Sequence, residues 1–440
     1  MSVKKFWDEK IETIDRGELE KLQFGLLSEH LYLAYEKSEY YREAFDNAGV
    51  KPSDLTKLSD ISKFPFVNKY IERERQLKKP LLGDMTAVTE EEVVFVSASS
   101  GSTGVPTLSP FTKKDFEEFQ DVQSRLFWAA GMRPSDRYVH ALNFTLFVGG
   151  PDVIGAQNLG ALCIWAGTIP SDRLIFILKE FQPTVIWTTP SYAWYLGETA
   201  KKQGIDPAKD LAINKIIVAG EPGGSIAATR EAIEEIWDAK VFDFFGISDI
   251  FGACAGMCSE RDGLHLAEDH ILVEVINPET LEPLGDGERG ELVLTTLRKT
   301  ARPMIRFRTG DIGTVNKDKC NCGRTHARIN ITGRLDDMLI VSGVNVFPSD
   351  IEYVVRNMEE LSGEYRVIAI TENFTTKFKV EVERAEGNSD SIEELQEKVS
   401  SRIKVRVGVK PKEVIVLENG ALPRATHKAK RLIDERKSEG

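Results

Sequence analysis

The chain has 440 residues, of which 41% are hydrophobic and 29% charged, with a formal net charge of −12. That length suits two domains and a core large enough to hold without covalent staples. Such acidity excludes nonspecific binding to nucleic acid or to an anionic membrane, so an anionic ligand must be met by local basic groups and backbone amides.

Met1 to Lys10 mixes charges with few apolar residues, and no signal peptide is expected. Residues 1–90 read as charged helices, with apolar spacing from Leu19 to Phe45 and breaks at Pro65 and Pro80. From about 91 to 296, short apolar runs at 93–96, 185–187, 216–219, 241–245 and 290–296 read as buried strands. Amphipathic stretches at 171–181 and 227–238 lie between them. The predicted class is α/β, a large domain of helix-covered, mostly parallel sheets. The most apolar stretch, 154–169, is interrupted by Gln157, Asn158 and glycines, so no membrane span is expected. The last hundred residues alternate differently, with strands at 366–371, 378–383 and 413–417 and a helix at 391–405. They predict a small α+β domain at 336–440 following a body at 1–335. Five cysteines form no disulfide framework, which with the absent signal suggests a reducing, cytoplasmic setting.

The sharpest local pattern is Ser97-Ala98-Ser99-Ser100-Gly101-Ser102-Thr103-Gly104, directly after the strand at 93–96. Glycines let the backbone approach phosphate oxygens, and hydroxyls and amides donate to them. No Gly-Lys-Ser/Thr follows, so the loop is not a Walker A element. With Thr112-Lys113-Lys114-Asp115 downstream, it resembles the phosphate loop of the adenylate-forming superfamily and, within it, of phenylacetate–coenzyme A ligases.

Further motifs follow in that family's order. Gly220-Glu221-Pro222 ends the strand at 216–219, where the resemblance implies adenine and acyl pockets. Asp243-Phe244-Phe245-Gly246-Ile247-Ser248-Asp249 is similar to the element that stacks on adenine, contacts the α-phosphate and supplies a carboxylate for Mg²⁺. Phe245 replaces its Tyr and Asp249 its Glu, so Asp249 would reach the magnesium through a bridging water. One of Phe244 and Phe245 is expected to be core. Phe307-Arg308-Thr309-Gly310-Asp311 implies Asp311 as acceptor for both ribose hydroxyls. Arg334 joins the nucleotide-binding set, Asp336 stands at the implied inter-domain hinge, and Gly343 lies in the loop implied to approach coenzyme A. Lys428, within Pro423-Arg424-Ala425-Thr426-His427-Lys428, falls at the catalytic lysine; Lys430 is the alternative register. A cation there offsets repulsion between the attacking carboxylate and the α-phosphate.

Cys258, His265, Cys320 and Cys322 offer three thiolates and one imidazole, the composition of a closed structural zinc site, with Cys254, His270 and His326 as nearby alternates. The resemblance implies an acid–thiol ligase: a small carboxylic acid and Mg·ATP give acyl adenylate and pyrophosphate, and coenzyme A then takes the acyl group. Phe144, Phe147 and Tyr192 are candidates for an acyl pocket that suits an aromatic ring, whether phenylacetate, benzoate-like or indoleacetate-like. Adenylyl transfer to a deazaflavin hydroxyl and acyl transfer to a carrier-protein pantetheine remain alternatives, and a homodimer remains open.

Overall fold

The computed structural model describes residues 4–79, 81–99, 106–144, 149–250, 252–341, 344–372, 375–424 and 430–436. Its centre is one sheet of eleven strands. Half is parallel, in the order Leu162–Trp165, Arg137–His140, Val185–Thr188, Lys215–Val218, Lys240–Ile247. The rest continues antiparallel through Gly252–Met257, Leu264–Leu266, Arg328–Arg334, Phe307–Asn316, Gly290–Thr296 and Ile271–Ile276.

The parallel strands are apolar on both faces because alternate residues serve two cores. Tyr138, Trp187, Ile217 and Phe242 face one cluster, which takes in Phe119, Val122 and Phe127 of the helix Lys113–Ala129. Val139, Ile186, Ile216 and Val241 face the other, with Leu174, Leu196 and Ile233 from the helices Ser171–Phe181, Pro190–Lys202 and Ala227–Trp237. Thr112 caps Lys113–Ala129 in a reciprocal box with Asp115. Asp115 also accepts from the Thr300 and Ala301 amides at 2.7 and 2.9 Å, which ties that helix start to the loop after Gly290–Thr296.

The run at 93–96 differs from its expected setting. Val93–Ala98 pairs antiparallel with Leu108–Thr112 in a separate ribbon, and Val94 is 60% exposed. A short β-branched run fits an edge ribbon as well as a sheet centre, and the intervening loop returns the chain beside itself.

From Leu339 a separate core begins. Its sheet runs Glu413–Leu417, Thr375–Arg384, Leu361–Glu372, Leu432–Asp434, packed by the helices Pro348–Arg356 and Ile392–Val407. Ser391 caps the second helix with Glu394, and Gly408 ends it at φ 93°, a conformation open to glycine at little cost. This unit touches the body through one face. Thr229 donates to Glu352 at 3.2 Å, the Arg356 guanidinium lies 4.3 Å from the Trp194 ring, and Arg424 approaches Glu198 at 3.9 Å. No described helix is long and apolar enough to cross a membrane.

Candidate active site

The roots of the proposed phosphate loop meet the Ser248-Asp249 turn where the ribbon joins the sheet. Of the phosphate loop, Ser99 is described, and Ser100, Gly101, Ser102, Thr103 and Gly104 lie outside the described residues. The loop's two roots are joined: the Ser99 amide donates to the Thr107 carbonyl at 3.1 Å, and their hydroxyls lie 2.8 Å apart. Thr107 donates onward to Asp249 Oδ1 at 3.1 Å, and Ser97 to the Ser248 carbonyl at 3.3 Å. The Ser248-Asp249 turn is thereby tied to the loop's two roots.

Asp249 is 3% exposed and paired with Lys69, which also lies 3.5 Å from Glu72. Arg302 pairs with Glu72 and stands 4.0 Å from Asp249. Burial pushes the Glu72 carboxyl up to about 7 against the pull of Arg302. At Asp249 burial is outweighed by Lys69 and Arg302, which hold it below the usual range. Lys299, wholly buried under this cluster and bonded to Ser109, is lowered by burial to about 7. Lys69, Glu72, Lys299 and Arg302 escaped the sequence reading. Their only signal was charge, which in a helix, as at Lys69 and Glu72, or in a loop, as at Lys299 and Arg302, normally marks a solvated surface.

Phe244 and Phe245 differ in burial. Phe244 is 2% exposed between Phe127 and Trp187, with ring centroids at 5.9 and 5.4 Å, and is core. Phe245 is half-buried and packs against the edge of the same core. Gly246 sits where a Cβ would lie 1.9 Å from the Gly252 carbonyl oxygen, so the close return of Gly252–Met257 requires glycine. Asp243 accepts from the Ser225 hydroxyl, and burial raises its carboxyl to about 7. Gly220, at φ 90°, turns the chain into Glu221, whose Oε1 accepts from the Ser191 amide at 2.8 Å; Pro222 is exposed beside it.

Asp311 and Arg334 are register partners on neighbouring strands, and Arg334 Nη1 donates to Asp311 Oδ1 at 2.6 Å. Arg334 Nη2 reaches the Thr309 carbonyl at 3.3 Å and Asp336 at 3.4 Å, so the implied hinge residue and Asp311 share one guanidinium. Gly343 and Lys428 lie outside the described residues, as does Phe147. Phe144 is 37% exposed, stacked on Trp165 at 5.4 Å and beside His140 at 5.0 Å. Tyr192 is not with them: it packs in the cluster on the other face and its hydroxyl lies 3.1 Å from Ser171 Oγ. A tyrosine one turn into an amphipathic helix fills a core as readily as a pocket, and the spacing carried no sign of which.

The Cys/His set does come together. Ligand atoms of Cys258, His265, Cys320 and Cys322 all lie within 4.8 Å of one another, and all four residues are buried. Cys258 lies 3.8 Å from Cys320, and Cys322 3.5 Å from His265 Nε2. His265 Nδ1 lies 3.0 Å from the His326 carbonyl, so its proton belongs on Nδ1 and Nε2 is turned to the sulfurs. The Arg324 amide donates to Cys322 Sγ at 3.5 Å. The alternates are engaged elsewhere: His326 Nδ1 meets the Leu266 carbonyl at 3.1 Å, His270 lies 3.0 Å from Asp269, and Cys254 belongs to the main core. The amino-terminal segment closes over this corner. The Thr325 amide donates to the Glu12 carbonyl at 3.0 Å, and Arg324 pairs with the Glu12 side chain at 2.6 Å.

Residues 33–297 match the AMP-binding enzyme family, and residues 343–436 match the AMP-binding enzyme C-terminal domain. The chain belongs to the AMP-binding, adenylate-forming enzymes. The enzyme is 36% identical to the phenylacetate-coenzyme A ligase of Thermus thermophilus, across 97% of this chain and 99% of that one. It is also 36% identical to the phenylacetate-coenzyme A ligase of Escherichia coli, across 98% of each. Among solved structures, 2-hydroxyisobutyryl-CoA ligase with 2-HIB-AMP in the postadenylation state superposes with a TM-score of 0.93 at 30% identity, covering 99% of this chain and 94% of that one. The same ligase in the thioesterification state gives 0.74.

Proposed function

We propose that the enzyme joins a small aromatic acid, of the phenylacetate type, to the thiol of coenzyme A through an acyl adenylate. What carries this reading is the likeness over nearly the whole chain, at 36% identity, to phenylacetate–coenzyme A ligases. The superposition on a ligase holding an acyl adenylate supports the adenylate step.

In the first half-reaction the carboxylate oxygen attacks the α-phosphorus of ATP, and the bond to the bridging oxygen of pyrophosphate breaks. Ser99 and the amides and hydroxyls through Gly104 hold the departing phosphates. Gly220, Glu221, Pro222 and Phe245 line the adenine side, Asp243, Gly246 and Ser248 the α-phosphate side, and Asp311 accepts from the ribose hydroxyls. Lys428 bridges carboxylate and phosphate, placing one positive charge between two anions. Mg²⁺ would screen the leaving pyrophosphate, and Asp249, engaged by Lys69 and Thr107, suits contact through water. In the second half-reaction the small domain, from Asp336 onward, turns, withdraws Lys428 and brings the Gly343 loop to the thiol, which attacks the acyl carbonyl and expels AMP. Phe144 on Trp165 offers a stacked aromatic surface for the acid's ring. The Cys258–His265–Cys320–Cys322 set suits zinc in a bracing role, because four ligands leave no open position for water.

Pyrophosphate release across aryl, alkyl and hydroxy acids, with and without coenzyme A, tests the reading. Turnover is expected with arylacetates and only with coenzyme A present. A preference for short hydroxy acids overturns the aromatic assignment; AMP release without any thiol overturns the ligase. Lys428→Ala is expected to block adenylate formation while sparing thiol attack on supplied acyl adenylate, and equal loss of both half-reactions counts against its role.

A further inference from the structure

The small domain buries a carboxylate that its core does not need. Glu383 is fully buried near the end of the strand Thr375–Arg384, opposite Leu417 of Glu413–Leu417. A buried charge is costly unless several donors meet it. Here the donors come largely from the chain just ahead of Lys428. Beyond Leu417 the chain turns back at Gly420, at φ 86°, and lays its amides on the carboxylate. The Gly420 amide donates at 3.1 Å, the Leu422 amide donates to the other oxygen, and Arg424 adds bonds at 2.9 Å from both terminal nitrogens. Arg424 Nη1 also donates to the Leu422 carbonyl at 3.3 Å, which folds the turn onto itself. Ser362 supplies a further bond at 3.1 Å from the neighbouring strand.

The far side of the same segment is held in a similar way. Arg431 pairs with Glu364, which is 8% exposed, and its guanidinium lies 4.9 Å from the Tyr365 ring. The Arg431 carbonyl accepts from the Val367 amide at 2.8 Å and so begins the strand Leu432–Asp434. Both carboxylates are held ionised: burial raises each, and Arg424 at Glu383 and Arg431 at Glu364 bring them below the usual range.

We propose that Glu383 and Glu364 are positioning residues for adenylate formation, each fixing one root of the segment that carries Lys428. This rests on the reading of Lys428 given above. Neither carboxylate is assigned contact with a substrate. Their work is to hold an ammonium group in register, where an error of about 1 Å can cost about a hundredfold in rate. Thiol attack, which needs Lys428 withdrawn, makes no use of that register, and this asymmetry separates positioning from mere structure.

The test uses the full-length enzyme with phenylacetate, or the acid that the screen ranks above it, and two assays: pyrophosphate release, and thioester formation from supplied acyl adenylate and coenzyme A. Glu383→Gln keeps the shape, removes the charge and turns an NH₂ donor toward amides that already donate. It is expected to lower the rate of pyrophosphate release at saturating ATP by about tenfold to a hundredfold. Thioester formation should stay within about twofold. Glu364→Gln should behave alike. Equal losses in both assays, or no loss in either, overturn the proposal. Should Glu383→Gln fail to fold, Arg424→Gln removes the same link from the exposed side and is read by the same two outcomes. Lys428→Ala runs alongside: if it releases pyrophosphate normally, the reading of the lysine falls with the proposal, whereas a dead Lys428→Ala beside unaffected glutamate variants sinks the proposal alone.

Discussion

Asp311→Asn isolates the ribose contact. Asp311 is 4% exposed, held by Arg334 at 2.6 Å, and lies on a strand whose register also fixes the hinge loop. An ionised carboxylate can accept from both ribose hydroxyls, while an asparagine keeps one acceptor and offers a donor in place of the other. One hydrogen bond to a charged group is worth about 1.5–3 kcal/mol, so the variant should bind ATP about 10- to 150-fold more weakly. The altered link to Arg334 is common to ATP and to a substrate without ribose hydroxyls, so it cancels between them. Arg334 is 38% exposed in its side chain and keeps Thr309 and Asp336 as partners. The assay is the ATP dependence of pyrophosphate release, compared with that of 2′,3′-dideoxy-ATP. Both enzymes should handle the dideoxy substrate with similar KM, because the lost contact no longer exists. If Asp311→Asn weakens the dideoxy substrate as much as ATP, the residue acts through the fold and the ribose assignment is wrong.

Purified enzyme is expected to carry one zinc per chain by elemental analysis, and Cys320→Ser to lose it and unfold at lower temperature; a metal-free protein of unchanged melting behaviour would refute the site. Asp243 gives a pH signature. Its folded carboxyl is raised to about 7, so between the unfolded value near 4 and pH 7 the folded state holds the extra proton, and stability falls as pH rises through that window. Asp243→Asn should flatten this slope in denaturant titrations at several pH values, and an unchanged slope would locate the titrating group elsewhere.

How much of this was legible in the sequence depended on how local the cause was. The strand Glu413–Leu417 was read to the residue because a β-branched run between charged turns leaves no other choice. The helix Ser171–Phe181 was equally plain from its apolar spacing. Leu162–Trp165 was missed: it is four residues long at the sheet edge, and its exposed Leu162 and Trp165 break the buried pattern. The metal-ligand set was visible because cysteine and histidine carry their chemistry in their identity. The charge cluster around Asp249 was not, since Lys69 and Asp249 meet across 180 residues and nothing in either neighbourhood marks the pairing. Tyr192 shows a different limit: a buried aromatic at helical spacing reads alike as pocket wall or core, and here it packs in the second cluster.

The three-residue strand Leu264–Leu266 is the narrow seam of the large sheet, joining Gly252–Met257 to Arg328–Arg334. The corner that gathers the thiols lies at this seam, since His265 belongs to it and Cys322 arrives 57 residues later. During synthesis, then, the parallel half can close as it leaves the ribosome, but the seam waits for a strand encoded some sixty residues downstream. The zinc proposed for that corner could not be fully ligated earlier. Cells short of the metal should accumulate chains with a finished first half and a protease-sensitive second half, and translation pauses after about residue 270 should be where the protein is most exposed to that fate.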